Sequence, residues 1–296
     1  MDRDMLRTLV VGIALLVGAH AGVIDSDEAF EGRFTGGASV TSLLETGYIV
    51  TIIGNSSLDG VNPTKCGGVI INTTLVLTTA TCVFKMQAAM LYAGYQNVSA
   101  NNSASNQTVY MVDKFINPNW EMNTGLNDIA MIRVYPPFYF NEYVYPIALP
   151  KSSVVKGDAV AKVGNLTWFS FGSINNTDNL TMDAMQFAKV TYLSSKVCNA
   201  FYIKPPYWFS VPTTMLCLNL TDVGYCNLDN GYPLIGYAKD SKTKVFKPFL
   251  VALAAQDRDK LCPQNATAIN YHTPDLFTRI DASYKWIASN GGPSLQ

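Results

Sequence analysis

The hydropathy of this chain comes in short packets. Apolar and β-branched runs at 48–53, 68–71, 75–79, 109–115, 129–134, 188–192, 249–255 and 276–280 are separated by Gly, Asn and Pro turns. Runs of that length, punctuated in that way, read as strands. One segment, 281–289, reads as a helix: Ala282, Lys285, Trp286 and Ile287 follow Asp281, which is placed to cap it. No internal repeat or low-complexity tract interrupts the pattern. The expectation is an all-β chain that closes on one helix.

The N-terminus reads as a secretory signal over 1–21. Arg3 and Arg7 lie in a short polar start, residues 9–17 are apolar, and Ala19-His20-Ala21 is a small-x-small cleavage site. The apolar run is too short to span a bilayer, and no later segment is longer. Six cysteines behind such a signal read as three disulfides. None has C-x-x-C spacing, so no metal site is expected, and spacing alone leaves the pairing open. Sequons at Asn55, Asn72, Asn97, Asn101, Asn106, Asn165, Asn175, Asn179, Asn219 and Asn265 point to a secreted, extracellular glycoprotein. With 21 basic and 22 acidic residues and no basic stripe, a nucleic-acid partner has no support. No membrane partner and no cofactor are expected.

Three stretches resemble the boxes of trypsin-like serine proteases. Thr78-Thr79-Ala80-Thr81-Cys82 is similar to the box that carries their catalytic histidine. Asn127-Asp128-Ile129-Ala130-Met131-Ile132 is similar to the box that carries the triad aspartate. The run from Cys226 to Leu234, C-N-L-D-N-G-Y-P-L, is similar to the box that carries the nucleophilic serine. The resemblance runs from Arg33 to about residue 290. It implies two Greek-key antiparallel β-barrels with a C-terminal helix over 34–290, a propeptide-like segment 22–33 and a short tail 291–296. It also implies the bridges Cys66–Cys82, Cys198–Cys217 and Cys226–Cys262. Arg33-Phe34-Thr35-Gly36-Gly37 resembles the activation site, making Arg33 a candidate cleavage point. In the family the new terminus pairs with the aspartate before the serine, here Asp229; otherwise that carboxylate needs another partner, since a buried carboxylate alone is costly.

Both reacting groups differ from the family pattern. The triad-equivalent positions hold Thr81, Asp128 and Asn230, and Asp128 is expected to bond backbone amides or the Thr81 hydroxyl. A threonine hydroxyl cannot accept a proton near neutrality as an imidazole does, and an amide nitrogen has a delocalised lone pair. The chain has two histidines, His20 in the signal and His272 in a polar loop near Pro274. Leu228 stands where a glycine N–H helps form the oxyanion hole, and Tyr232 where the second glycine after the serine stands. The remnant specificity pocket is Gly224 at the floor, Gln256 and Asp257 on the wall strand, and Asp275 after Pro274. Asp275 reads either as an anchor for a basic residue or as part of a self-filled pocket. The loop 94–108 lacks acidic residues, which excludes the calcium site of some trypsins.

These features imply a catalytically inactive homologue that acts by binding a secreted protein, an enzyme or a protease-cascade component, as regulator, decoy or inhibitor. A narrower alternative is an effector resembling the secreted glucanase inhibitors of plant pathogens, which also carry Thr in this box. A second is an atypical hydrolase with relocated groups, and a third a purely structural glycoprotein. Two aromatic runs stand out as surfaces: 135–140 after the Asp box, and 201–209 inside the Cys198–Cys217 loop.

Overall fold

The computed structural model describes residues 38–293, apart from 57–62, 96–104, 151–159, 161–162, 164, 172–184, 206–207, 220–228, 241 and 256–273. The strands, in chain order, are β1 (Ala38–Ser39), β2 (Ile49–Ser56), β3 (Pro63–Ile70), β4 (Leu75–Thr78), β5 (Met86–Ala93), β6 (Gln107–Ile116) and β7 (Ala130–Tyr135). Then follow β8 (Leu166–Ser170), β9 (Gln186–Leu193), β10 (Met215–Asn219), β11 (Pro233–Lys239), β12 (Phe246–Ala254) and β13 (Asp275–Arg279). β2-β3-β4-β7-β6-β5 closes into one antiparallel barrel. β9-β10-β13-β12-β11-β8 closes into a second through the β8–β9 pairing, and β1 adds to the edge of β9. Closure pairs each barrel strand on both sides, which is how all-β domains avoid templating aggregation.

The inward faces of each barrel are apolar. Ile52, Ile70, Val76, Leu91 and Ile132 fill the first, while Trp168, Leu218, Leu234, Val251 and Phe277 fill the second. A third cluster lies between the barrels and includes Tyr48, Leu77, Met131, Phe171, Tyr232 and Leu250. It is this seam that fixes one barrel against the other. The aromatic link contributes to it unevenly. Phe138 turns into the first barrel, whereas Tyr139 stays exposed.

β5 departs from local preference. Its sequence, MQAAMLYA, is built mostly of good helix formers, yet it pairs with β2 on one side and β6 on the other. Alternation of buried Ala89, Leu91 and Ala93 with more exposed neighbours shows why: partners and burial outweigh propensity. Among the described residues, two helices join the expected one. α1 (Ala80–Val83) follows β4, and α2 (Ser195–Tyr202) starts at Ser194, whose hydroxyl accepts the Val197 N–H at 3.4 Å. The terminal segment divides into a 3-10 turn, Asp281–Ser283, and α3 (Tyr284–Ser289). Asp281 does not cap this helix. Its carboxylate is drawn instead to Arg279, with N···O distances of 3.0 and 2.7 Å.

Tyr232 is the side chain that crosses the seam. It comes from the start of β11, is fully buried, and its hydroxyl lies 3.0 Å from the Thr51 hydroxyl on β2. Its ring covers Gly67 of β3 so closely that a Cβ added there would stand 2.3 Å from it. Replacing Tyr232 by Phe leaves the Thr51 hydroxyl unpaired in the seam and should cost roughly 1–2 kcal/mol. Replacing it by Gly removes the whole ring and should cost on the order of 3–5 kcal/mol. Urea denaturation midpoints of the two variants against the parent protein measure both.

Candidate functional site

The site positions are assembled around Gly67. Its N–H donates to the Asn230 carbonyl at 2.7 Å, and its carbonyl accepts the Thr78 hydroxyl at 2.8 Å. Gly231, with φ +79°, lies against the same carbonyl, and any Cβ there would meet it at 2.2 Å. This residue needs glycine for both its left-handed backbone and its close approach. On the other side the Gly231 N–H donates to Ala254 at 2.8 Å, and the Ala254 N–H returns to Tyr232 at 2.9 Å. The segment from Asp229 to Tyr232 is thus clamped between β3 of one barrel and β12 of the other. Asn230 is buried within it.

Thr81 reaches the same neighbourhood from α1. The Cys66–Cys82 bridge ties α1 to β3, next to Gly67. Lys114 of β6 seals the far end, donating to the carbonyls of Val83, Phe84 and Met86 at 2.9, 2.9 and 2.5 Å. Loss of hydration holds its ammonium below the usual lysine pKa.

Asp128 meets Thr81 from the turn before β7. Asn127, in the left-handed region at φ 54°, precedes it, with its amide nitrogen bonded to the Asn119 carbonyl at 2.9 Å. One Asp128 oxygen accepts the Thr81 N–H at 2.7 Å and the other the Thr81 hydroxyl at 2.9 Å. The Ala80 N–H also faces it. Burial pushes the Asp128 carboxyl up to about 6, against the pull of these hydrogen bonds.

Asp229 is buried as well, and its carboxylate accepts a short hydrogen bond from the buried Ser170 hydroxyl of β8. Sequence reading did not single out Ser170, because nothing local marks a strand serine as the partner of a carboxylate 59 residues on. Thr51 and Gly67, which receive Tyr232, were equally silent. Asp275 is buried in β13 opposite Leu218, inside the barrel wall. The Cys198–Cys217 bridge is present and joins α2 to β10. Arg33, Gly224, Leu228, Gln256, Asp257, His272, Cys226, Cys262 and the sequons Asn97, Asn101, Asn175, Asn179 and Asn265 lie outside the described residues. Among the sequons within them, Asn55 and Asn165 are exposed, and Asn72, Asn106 and Asn219 are half-buried. No cluster of potential metal ligands occurs among the described residues. No helix among them is long and apolar enough to cross a membrane.

A family model for trypsin matches residues 38–287. The chain belongs to the trypsin family. Among its relatives, trypsin eta of Drosophila melanogaster is 30% identical over 240 residues, covering 79% of this chain and 84% of that protein. Platelet-aggregating proteinase PA-BJ of Bothrops jararaca is 31% identical over 173 residues, covering 57% of this chain and 68% of its own length. The solved structure of HL collagenase superposes with a TM-score of 0.67 at 20% identity, over 88% of this chain and 99% of that one. The fold is that of a trypsin-like serine protease.

The environment of Asp128 makes a pH signature. A carboxyl whose pKa rises from 3.8 in the unfolded chain to about 6 in the fold stabilises the protein when protonated. That contribution is present below about pH 4 and is lost as the pH rises through about 6, an expected swing of about 3 kcal/mol. Asp128→Asn removes the titrating group. The stability of the parent relative to this variant should therefore fall between pH 4 and pH 7, as read from urea midpoints across that range.

Proposed function

We propose that this protein is a secreted, catalytically inactive member of its family that acts by binding another secreted protein. One observation carries the reading. Both oxygens of the Asp128 carboxylate are engaged by a single residue, Thr81, through its N–H and its hydroxyl. In a triad that carboxylate orients a ring that takes a proton from the nucleophile. Here the group it orients is an alcohol that donates its own proton to the carboxylate and has no acceptor of comparable basicity to offer.

The position equivalent to the nucleophile supports the same reading. Asn230 is 6% exposed, and its loop is fixed by backbone bonds to both barrels. An amide nitrogen in such a place has neither the lone pair nor the access that acyl transfer requires. Removing one triad member costs several powers of ten in rate, and two are replaced here. The N-terminal apolar run, the sequons and the cysteine bridges support an extracellular setting.

Within this reading, the Thr of the T-T-A-T-C stretch is the feature that supports the narrower alternative, an inhibitor of the glucanase-inhibitor type, beside a component of a protease cascade. The purified protein is expected to take up no fluorophosphonate label beyond a heat-denatured control and to leave peptide substrates uncut. A labelled serine would establish an atypical hydrolase instead. Affinity capture from the fluid the protein is secreted into, read by mass spectrometry, separates the partners. A retained glycoside hydrolase supports the inhibitor, a retained protease or zymogen the cascade component, and no reproducible partner removes the binding reading.

A further inference from the structure

The outer face of α2 and the turn that follows it are built unlike the rest of the second barrel. Inward, the helix buries Cys198 and Tyr202 against Met215, Cys217, Ala255 and Leu276, with Phe201 and Phe209 packed alongside. Outward, Lys196, Val197, Ala200, Ile203 and Lys204 are all exposed. Their spacing places them on one helical stripe. Two of these are branched aliphatic side chains more than half exposed, Val197 at 54% and Ile203 at 52%. Trp208, whose backbone N–H bonds the Lys204 carbonyl at 3.3 Å next to the end of this stripe, is itself 73% exposed.

Trp208 also holds φ +49°, a left-handed backbone that a bulky side chain disfavours. The strain is sustained by a rigid base. The Cys198–Cys217 bridge anchors the helix to β10. The Tyr202 hydroxyl donates a short hydrogen bond to the Pro274 carbonyl, and the Phe209 N–H reaches the Tyr202 carbonyl at 3.0 Å. Asn199 braces the returning chain by accepting the Val211 N–H at 2.9 Å. A surface so held loses little conformational freedom when it docks.

Charge decides what this face fits. From 184 to 221 the chain has no acidic residue, and its basic residues are Lys189, Lys196 and Lys204. Two of the three lysines flank the exposed Val197, Ile203 and Trp208. We infer that this face is the docking surface of the protein, and that its occupant is an acidic protein segment carrying an apolar side chain. Carboxylates of the partner pair with Lys196 and Lys204, while its apolar group packs on Val197, Ile203 and the Trp208 indole. Tryptophan is among the residues from which binding hot spots are built, and lysines at the rim of such a patch set its preference for an acidic partner. This inference rests on the binding reading above and names the surface that serves it.

A library of random linear peptides displayed on phage, panned against the purified full chain, tests it. The variant Lys196→Glu/Lys204→Glu/Trp208→Ala serves as counter-selection, and its fold is checked by its urea midpoint. Enriched peptides are expected to be acidic with at least one aromatic or aliphatic anchor. They should bind Trp208→Ala at least about tenfold more weakly than the parent and weaken further as salt is raised. Lys196→Glu alone, outside the strained turn, should show a smaller loss of the same sign. No enrichment, neutral or basic peptides, or peptides that bind the triple variant as well as the parent overturn the proposal. So does a Trp208-dependent dimer in sedimentation, which makes a second copy the occupant, or Trp208-dependent binding to phosphatidylserine vesicles. The two readings fail separately. Fluorophosphonate uptake ends the inactive reading without touching this face, and unchanged peptide binding removes this face without restoring catalysis.

Discussion

Gly67 is where the two barrels become one domain. Lacking a side chain, it lets the Tyr232 ring lie flat on the β3 backbone and leaves both of its own backbone groups to be shared. Its N–H holds Asn230, its carbonyl holds Thr78, and Gly231 crowds the same carbonyl from the other side. A small patch of backbone therefore positions strands of both barrels and the loop between them. The apolar seam of Tyr48, Leu77, Met131 and Phe171 supplies most of the driving force, but it is not directional. The hydrogen bonds at Gly67 supply the direction.

The site inherits its rigidity from that patch. Thr81 and Asn230 approach it from opposite barrels, one on a helix bridged by Cys66–Cys82, the other on a loop bonded to β3 and β12. Two buried carboxylates complete the surroundings, and each is met by a hydroxyl: Asp128 by Thr81, Asp229 by Ser170. Buried acids survive in a fold when their oxygens are satisfied, and a hydroxyl does this without bringing a charge. The frame of a protease site is thus retained, with an alcohol at each of these two acids.

Much of this was legible in the sequence, and the reasons differ by element. Strands such as β4, β7 and β12 announce themselves through apolar or β-branched runs between turns, and the three boxes fix the family because their residues are clustered in sequence. β5 was hidden, since Ala, Met, Leu and Gln state a helical preference that pairing with β2 and β6 overrides. α2 was hidden because a Ser cap and about two turns of amphipathic spacing are short signals beside a strongly aromatic run. Thr81 as the partner of Asp128 could be anticipated from the boxes alone. Ser170, Thr51 and Gly67 could not, because their roles arise only when distant strands pack. Asp281 looked like a cap and is instead an ion-pair partner, since Arg279 two residues earlier lies within its reach.

The clamp at Gly67 has a consequence for how such a chain can change over generations. A side chain at Gly67 collides with the Tyr232 ring, one at Gly231 collides with the Gly67 carbonyl, and a smaller residue at Tyr232 empties the seam. None of the three can vary alone without damaging the fold. Substitutions there must arrive together, as linked replacements on opposite barrels, so covariation between positions 67 and 232 is expected among close descendants of this chain. The loop that holds Asn230 is thereby kept by the demands of assembly, whether or not any reaction takes place beside it.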